Sequence, residues 1–237
     1  MKYTTILFDA DGTLLDFHRC EREAVAEAFS CLGVTVNGEM LDEYSRINDS
    51  LWKMLERKEI EKSVLVYRRF EIFFEKYGIS ADAHRMASEY MRTLSQRAYL
   101  IDGAEELCQK LYGKARMYIV TNGIRSNQES RLEKCGLLKY FDGAFISECT
   151  GFEKPQIEFF NYAAERIPDF SKSSAIIVGD SLSSDIKGGI NFGIDTCWYD
   201  PENKTAPKEI KDKITYTVTD FNEMYEILTQ GDGNDSQ

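Results

Sequence analysis

Tyr3-Thr4-Thr5-Ile6-Leu7-Phe8-Asp9-Ala10-Asp11-Gly12-Thr13 is the stretch on which the fold turns. Tyr3 to Phe8 is β-rich and largely apolar, as expected of a strand buried on both faces of a parallel sheet. Asp9 to Thr13 is a run of turn formers, so the strand empties into a loop. In open α/β sheets, ligands bind beyond the carboxyl ends of the strands, and this strand ends on two carboxylates.

Outward from that strand, the chain first changes character and then repeats it. From about Phe17 to Tyr99 there is no proline, and apolar residues recur at helical spacing, as in Leu51, Met54 and Leu55 or Phe70, Phe73, Phe74 and Tyr77. The spacing predicts about four helices, separated near Gly33 to Gly38, Lys58 to Lys62 and Gly78 to Asp82. After Gly103, helices and strands alternate. Strands are expected at 117–120, 144–146, 175–178, 196–199 and 215–218, and helices at 104–112, 126–135, 156–167, 182–192 and 221–228. Alternation of this kind implies a doubly wound, Rossmann-like parallel sheet covered on both faces. The expected organisation is therefore an α/β core of residues 1–16 and 100–230, interrupted by an inserted all-helical cap domain at 17–99. A polar tail at 231–237 is expected to be disordered.

Composition narrows the function. The 237 residues carry 40 acidic and 29 basic side chains, a net charge of −11 that opposes binding to a nucleic-acid polymer or an anionic membrane. The apolar run at the start is stopped by Asp9, too soon for a signal peptide, and no later segment is long enough to span a bilayer. The cysteines at 20, 31, 108, 135, 149 and 197 are scattered, with only His18 and His84 to join them, so neither a disulfide framework nor a zinc site is expected. A cytoplasmic protein is the expectation.

The chemistry-bearing residues gather at predicted strand ends. Asp9 and Asp11 follow the first strand, Thr121 and Asn122 the second, and Asp180 a later one with Asp185 just beyond; Lys154-Pro155 precedes an intervening helix. Strand alternation predicts that Asp9 and Asp11 point the same way, and two neighbouring carboxylates favour a bound cation or one protonated member. With Asp180 they make a sparse hard-oxygen set suited to Mg²⁺ with waters retained. Singly, each of these residues reads better as a turn former, helix cap or surface lysine. Their order and shared placement are what point to a site. A calcium loop fails for want of Gly at its sixth position and Glu at its twelfth, where Leu14 and Cys20 stand, and the chain has no G-x-x-x-x-G-K or G-x-G-x-x-G.

Asp9-x-Asp11-x-Thr13, Thr121-Asn122, Lys154-Pro155 and Gly179-Asp180 with Asp185 resemble the four ordered motifs of the haloacid dehalogenase superfamily, and the helical insertion resembles that superfamily's first-subclass cap. The resemblance implies that Asp9 is the nucleophile, forming an aspartyl-phosphate, and that Asp11 protonates the leaving oxygen and then activates water. It also implies that Mg²⁺ is held by Asp9, the Asp11 backbone carbonyl and Asp180, and that Thr121, Asn122 and Lys154 bind the phosphoryl group. Thr13 and Asp185 are in supporting places, with Asp185 orienting Lys154 or a metal-bound water. Dehalogenases generally lack the second aspartate, so Asp11 speaks for a phosphatase. Phe8-Asp9-Ala10-Asp11, Ile47-Asn48 with Leu51-Trp52, Arg69-Phe70-Glu71, Thr121-Asn122-Gly123, and Gly188-Gly189-Ile190-Asn191 leading to Cys197-Trp198 further resemble pyrimidine 5′-nucleotidases that clear non-standard nucleotides. That likeness implies a small phosphorylated metabolite, a nucleotide, as partner. It makes Asn48, Trp52 and Arg69 the expected specificity residues, with Trp52, Tyr67 and Phe70 as candidates for stacking on a base. Hinges are expected near Asp16-Phe17 and Ile101 to Gly103. The oligomeric state, monomer or homodimer, is left open.

Two alternatives stand beside this reading. A sugar-phosphate phosphatase or phosphosugar mutase would share the fold. A receiver-like phospho-aspartate switch would share the residue types, but receivers place the acceptor and the acid pair on different strands, and a large cap has no obvious use in a switch.

Overall fold

In the computed structural model, which describes residues 1–230, the first strand, β1 (Thr5–Phe8), lies at the centre of a parallel six-stranded sheet. Helices α1 (Phe17–Cys31), α2 (Gly38–Glu56), α3 (Lys62–Tyr77) and α4 (Ala83–Leu94) follow it. The chain then returns through α5 (Ala104–Leu111) to β2 (Arg116–Thr121), α6 (Arg125–Lys134), β3 (Gly143–Ile146), the short α7 (Ser147–Thr150) and α8 (Ile157–Ala164). Next come β4 (Ala175–Gly179), a π-helical turn at Leu182–Ile186, α9 (Lys187–Phe192) and β5 (Asp195–Tyr199). Helix α10 (Lys208–Lys211), β6 (Tyr216–Val218) and α11 (Phe221–Thr229) complete the order. The expected tail at 231–237 lies outside the described residues.

The strand order is β3-β2-β1-β4-β5-β6, so the winding reverses at β1, with β2 on one side and β4 on the other. That reversal opens a crevice at the carboxyl end of β1, where the sequence places Asp9. Pleating explains the packing. Ile6 and Phe8 of β1 join Ile176 and Val178 of β4 in a core under α5 and α11, while Leu7 and Ile177 face Phe159, Phe160 and Phe192 on the opposite side.

The helical block has its own core, in which Ala24, Phe29, Tyr44, Phe70, Phe73 and Tyr90 are buried together. Helix starts follow local chemistry: Asp16, Asn37 and Asp82 each accept a bond from a backbone N–H in the first turn of the helix they cap. The block touches the sheet side through Lys62, at the start of α3. Its ammonium donates to the Asn122 carbonyl (2.9 Å) and to Ser147 Oγ (2.7 Å) and pairs with Glu153 (3.1 Å). Among the described residues, no helix is long and apolar enough to cross a membrane.

Candidate active site

The crevice between the strand ends and the helical block encloses about 520 Å³, lined on the sheet side by Asp9, Asp11, Thr121, Lys154 and Asp180. Lys154 is its organising cation. The side chain is 1% exposed, and all three ammonium hydrogens are used: to Asp9 Oδ1 (2.6 Å), Asp185 Oδ1 (2.6 Å) and the Val120 carbonyl (2.7 Å). Desolvation of a lysine costs several kcal/mol, which two carboxylates at this distance recover. Burial works against the charge, but Asp185 and Asp9 outweigh it, and the Lys154 pKa lies above the ordinary lysine value.

Asn122 secures this lysine from behind. Its amide nitrogen donates to the Lys154 carbonyl (2.8 Å) and its Oδ1 accepts from the Lys154 N–H (2.9 Å). One hydrogen and one lone pair of the carboxamide thus hold the loop that carries Lys154, while Asn122 itself lines the crevice beside Thr121. Thr121 is the free donor. Its Oγ1 accepts from Gln128 Nε2 (2.7 Å) and the Gly123 N–H (3.0 Å), which leaves the hydroxyl hydrogen for a ligand in the crevice.

Asp9, Asp180 and Asp185 bring carboxylate oxygens within 4.8 Å of one another. Their availability differs. Asp185 is fully buried, with Oδ1 on Lys154 and Oδ2 on the Ser181 N–H (3.1 Å). Asp180 opens on the crevice, and its nearest side-chain donor is Thr13 Oγ1 at a long 3.4 Å. Trp198 fixes its backbone by donating from Nε1 to the Asp180 carbonyl (2.9 Å). The surrounding protein and the Asp185 charge push the Asp180 carboxyl up to about 7, and burial likewise raises Asp9, partly offset by Lys154. Three clustered carboxylates with one ammonium between two of them, and the third without a close donor, fit a hard divalent cation. Gly12, at φ +84°, makes room for this set, since a Cβ there would stand 2.5 Å from an Asp180 oxygen.

Asp11 lines the same crevice as Asp9 but has different partners. Strand β1 ends at Phe8, so strand alternation does not extend to position 11. Asp11 Oδ1 accepts from Arg131 Nη1 (2.6 Å) and Oδ2 from Gln128 Nε2 (2.6 Å). Neither partner is legible as a site residue from its spacing. Both are buried on α6, a helix whose one buried apolar residue is Leu132, and that poverty of apolar residues was the available signal.

The candidate residues of the helical block divide between crevice and interior. Trp52 and Arg69 line the crevice, as a specificity role requires. Asn48 does not: it is fully buried, donating to Glu21 Oε1 (2.7 Å) and accepting from Arg69 Nη1 (3.0 Å). Phe70 lies in the helical core, and Tyr67 packs on His84 with ring centroids 4.2 Å apart, so of the three aromatic candidates Trp52 alone lines the crevice.

The family model for haloacid dehalogenase-like hydrolases matches residues 3–193, and the chain belongs to that family. It is an enzyme of the hydrolase class. HAD-hydrolase YfnB of Bacillus subtilis is 40% identical over 96% of both chains, and its magnesium-bound crystal structure, described as revealing interdomain movement, superposes with a TM-score of 0.92 over 97% of this chain and all of the other. Pyrimidine 5′-nucleotidase PynA of Streptococcus pneumoniae is 38% identical over 96% of both chains. Pyrimidine 5′-nucleotidase YjjG of Escherichia coli is 32% identical over 96% of this chain and 99% of its own.

Proposed function

We propose that the chain is a Mg²⁺-dependent phosphomonoester hydrolase that acts through an aspartyl-phosphate, with pyrimidine nucleoside 5′-monophosphates as its substrates. The carrying observation is the Asp9–Lys154–Asp185 chain beside Asp180, with Asp11 two residues from Asp9 on the same loop. Asp9 and Asp180, with the Asp11 backbone carbonyl, would hold the cation, and Asp185 would act through Lys154 and metal-bound water. The cation supplies charge neutralisation for the phosphoryl oxygens.

The chain's own residues do the rest. Asp9 forms a bond to phosphorus as the ester P–O bond breaks, and Asp11 gives the leaving oxygen its proton. Water then displaces the Asp9 oxygen while Asp11 takes the water's proton. Lys154 and the Thr121 hydroxyl stabilise charge on the transferring group. The helical block at 17–99 acts as a cap over the core of 1–16 and 100–230, excluding water and presenting Trp52 and Arg69 to the leaving group. A cytoplasmic location agrees with free cysteines throughout.

The test is phosphate release from a panel of nucleoside monophosphates and sugar phosphates at equal concentration, with Mg²⁺ and with chelator. Multiple turnovers confined to Mg²⁺ and fastest with pyrimidine nucleotides are expected. Flat rates across nucleotides and sugars would overturn the nucleotidase assignment, and stoichiometric labelling without turnover would overturn hydrolysis in favour of a switch. Trp52→Ala and Arg69→Ala should raise KM for nucleotides more than for p-nitrophenyl phosphate.

A further inference from the structure

Two polar side chains on α6, one turn apart, close on the Asp11 carboxylate from the same face of the helix. Arg131 is 1% exposed and reaches Oδ1; Gln128, also 1% exposed, reaches Oδ2. Burying a guanidinium and a carboxamide costs more than a surface ion pair returns, so an arrangement of this kind calls for a reason beyond stability. Each partner is itself fixed. Gln128 uses its second amide hydrogen on Thr121 Oγ1 (2.7 Å), and a Cβ on Gly123 would collide with the Gln128 amide, so the glycine is what lets Gln128 in. Arg131 donates from Nε to the Arg97 carbonyl (3.1 Å), and its guanidinium lies 5.5 Å from the Phe17 ring, so both connections to the helical block abut it. Arg131 Nη2 is buried without a hydrogen-bond partner among the described residues.

We infer that Arg131 and Gln128 are positioning residues for Asp11, holding its carboxylate where it meets the leaving-group oxygen. The inference rests on the acid–base role proposed above for Asp11. Neither residue belongs to the strand-end motifs, and neither needs to touch phosphate. The clamp accounts for the separation of the two aspartates: Asp9 is bound to the cation set and Asp11 to α6, so the oxygen that attacks phosphorus and the acid that serves the leaving group are held independently.

An effect on Asp11 has a signature that general damage lacks. A nucleoside 5′-phosphate expels a poor leaving group that needs a proton, whereas p-nitrophenolate departs without one. The experiment measures kcat/KM, which reports steps through leaving-group departure, for a nucleoside 5′-monophosphate and a series of substituted phenyl phosphates. Arg131→Met should lower kcat/KM for the nucleotide by about 100-fold and for p-nitrophenyl phosphate by less than about fivefold, steepening the dependence on leaving-group pKa. Gln128→Leu should do the same more weakly, and Arg131→Lys should recover part of the loss. Asp11→Asn is the reference and should steepen the series most.

Equal losses on every ester in Arg131→Met would overturn the inference, because they denote phosphate contact or a damaged fold. An unchanged slope in both α6 variants would also overturn it. If Asp11→Asn steepens the series and the α6 variants do not, positioning fails while the acid role survives. If Asp11→Asn itself leaves the slope unchanged, the acid role falls first. Should Arg131→Met not fold, Arg131→Lys and Gln128→Leu decide the matter by the same slope.

Discussion

At the strand ends, three clustered carboxylates, Asp9, Asp180 and Asp185, face one buried ammonium, that of Lys154, which pairs with Asp9 and Asp185 only, whereas in the helical block Glu21, Asn48 and Arg69 form a set whose charges balance. The helical set is closed. Glu21 accepts from Ser45 Oγ (2.6 Å) and Asn48 Nδ2 (2.7 Å), and Arg69 reaches Asn48 Oδ1 and the Val66 carbonyl (3.1 Å) while lying 4.6 Å from the Tyr90 ring. The strand-end set is left in surplus, with Asp180 short of donors. A protein gains nothing in stability by pushing carboxylates together, so the surplus marks the set that does chemistry. The balanced set reads as the device that stiffens the wall carrying Arg69.

The sharpest break in this comparison comes from Asp9→Asn. With Asp9 as the proposed nucleophile, its loss should lower turnover by about 10⁴-fold or more, as removal of a covalent catalyst does. Thermal unfolding in chelator should show a melting temperature equal to or above that of the wild type, because one member of a mutually repelling set is gone. A clear fall in melting temperature would place Asp9 in the same class as the helical charges.

Lys154→Met should move both quantities together. It strips the shared cation from Asp9 and Asp185, so stability should fall by about 3–5 kcal/mol in urea titrations. Turnover of the folded fraction should fall by about 100-fold or more through lost stabilisation of the phosphoryl oxygens. Retained stability would mean that Lys154 is not the pivot of the strand-end set.

How these sets appear in the sequence explains what could be read from it. Asp9, Thr121 and Asp180 stand at predicted strand ends, where topology itself assigns a crevice, and the alternation after Gly103 is strong enough to fix the sheet. The short α7 and α10, of four residues each, are too brief for any period to register. Polar residues that turn inward defeat periodicity for a different reason. Gln128 and Arg131 on α6 read as a solvated face, since a buried hydrogen-bonded side chain and an exposed one look alike in sequence. Asn48 differs the other way: the family resemblance implies a ligand contact, yet its side-chain partners are Glu21 and Arg69. Asn122 shows that a motif can mark a residue and leave its side chain's partners open.

Asn48→Ala follows from that correction. It removes the bridge between Glu21 and Arg69 and leaves two buried charged groups short of a partner, which should cost about 2–3 kcal/mol of stability. Because Asn48 does not line the crevice, kcat for nucleotides should stay within about threefold of wild type once the protein is folded. A loss of turnover above tenfold with unchanged stability would return Asn48 to the binding residues and blur the line between the two sets.

The smallest effect, and the finest test of the contrast, is in Glu21→Gln. Burial is the main influence on the Glu21 carboxyl, and bonds from Ser45 and Asn48 with the Arg69 charge pull only part of the way back, so its pKa in the folded chain lies above the ordinary 4.5. A raised carboxyl pKa means that the folded state holds the proton more tightly than the unfolded state. Its contribution to stability is fully present below the unfolded pKa and is lost as pH rises through the folded one. Glutamine keeps the shape and cannot titrate, and the Ser45 hydroxyl can turn to accept from its amide. Urea midpoints at pH 5 and pH 8 should therefore show wild type gaining on the variant at the lower pH, with the two within about 1 kcal/mol at the higher. A difference independent of pH would mean that Glu21 is unperturbed. Wild type gaining on the variant as pH rises would mean that Arg69 holds the carboxylate as a true ion pair, a stronger balance than hydrogen bonds through Asn48 provide.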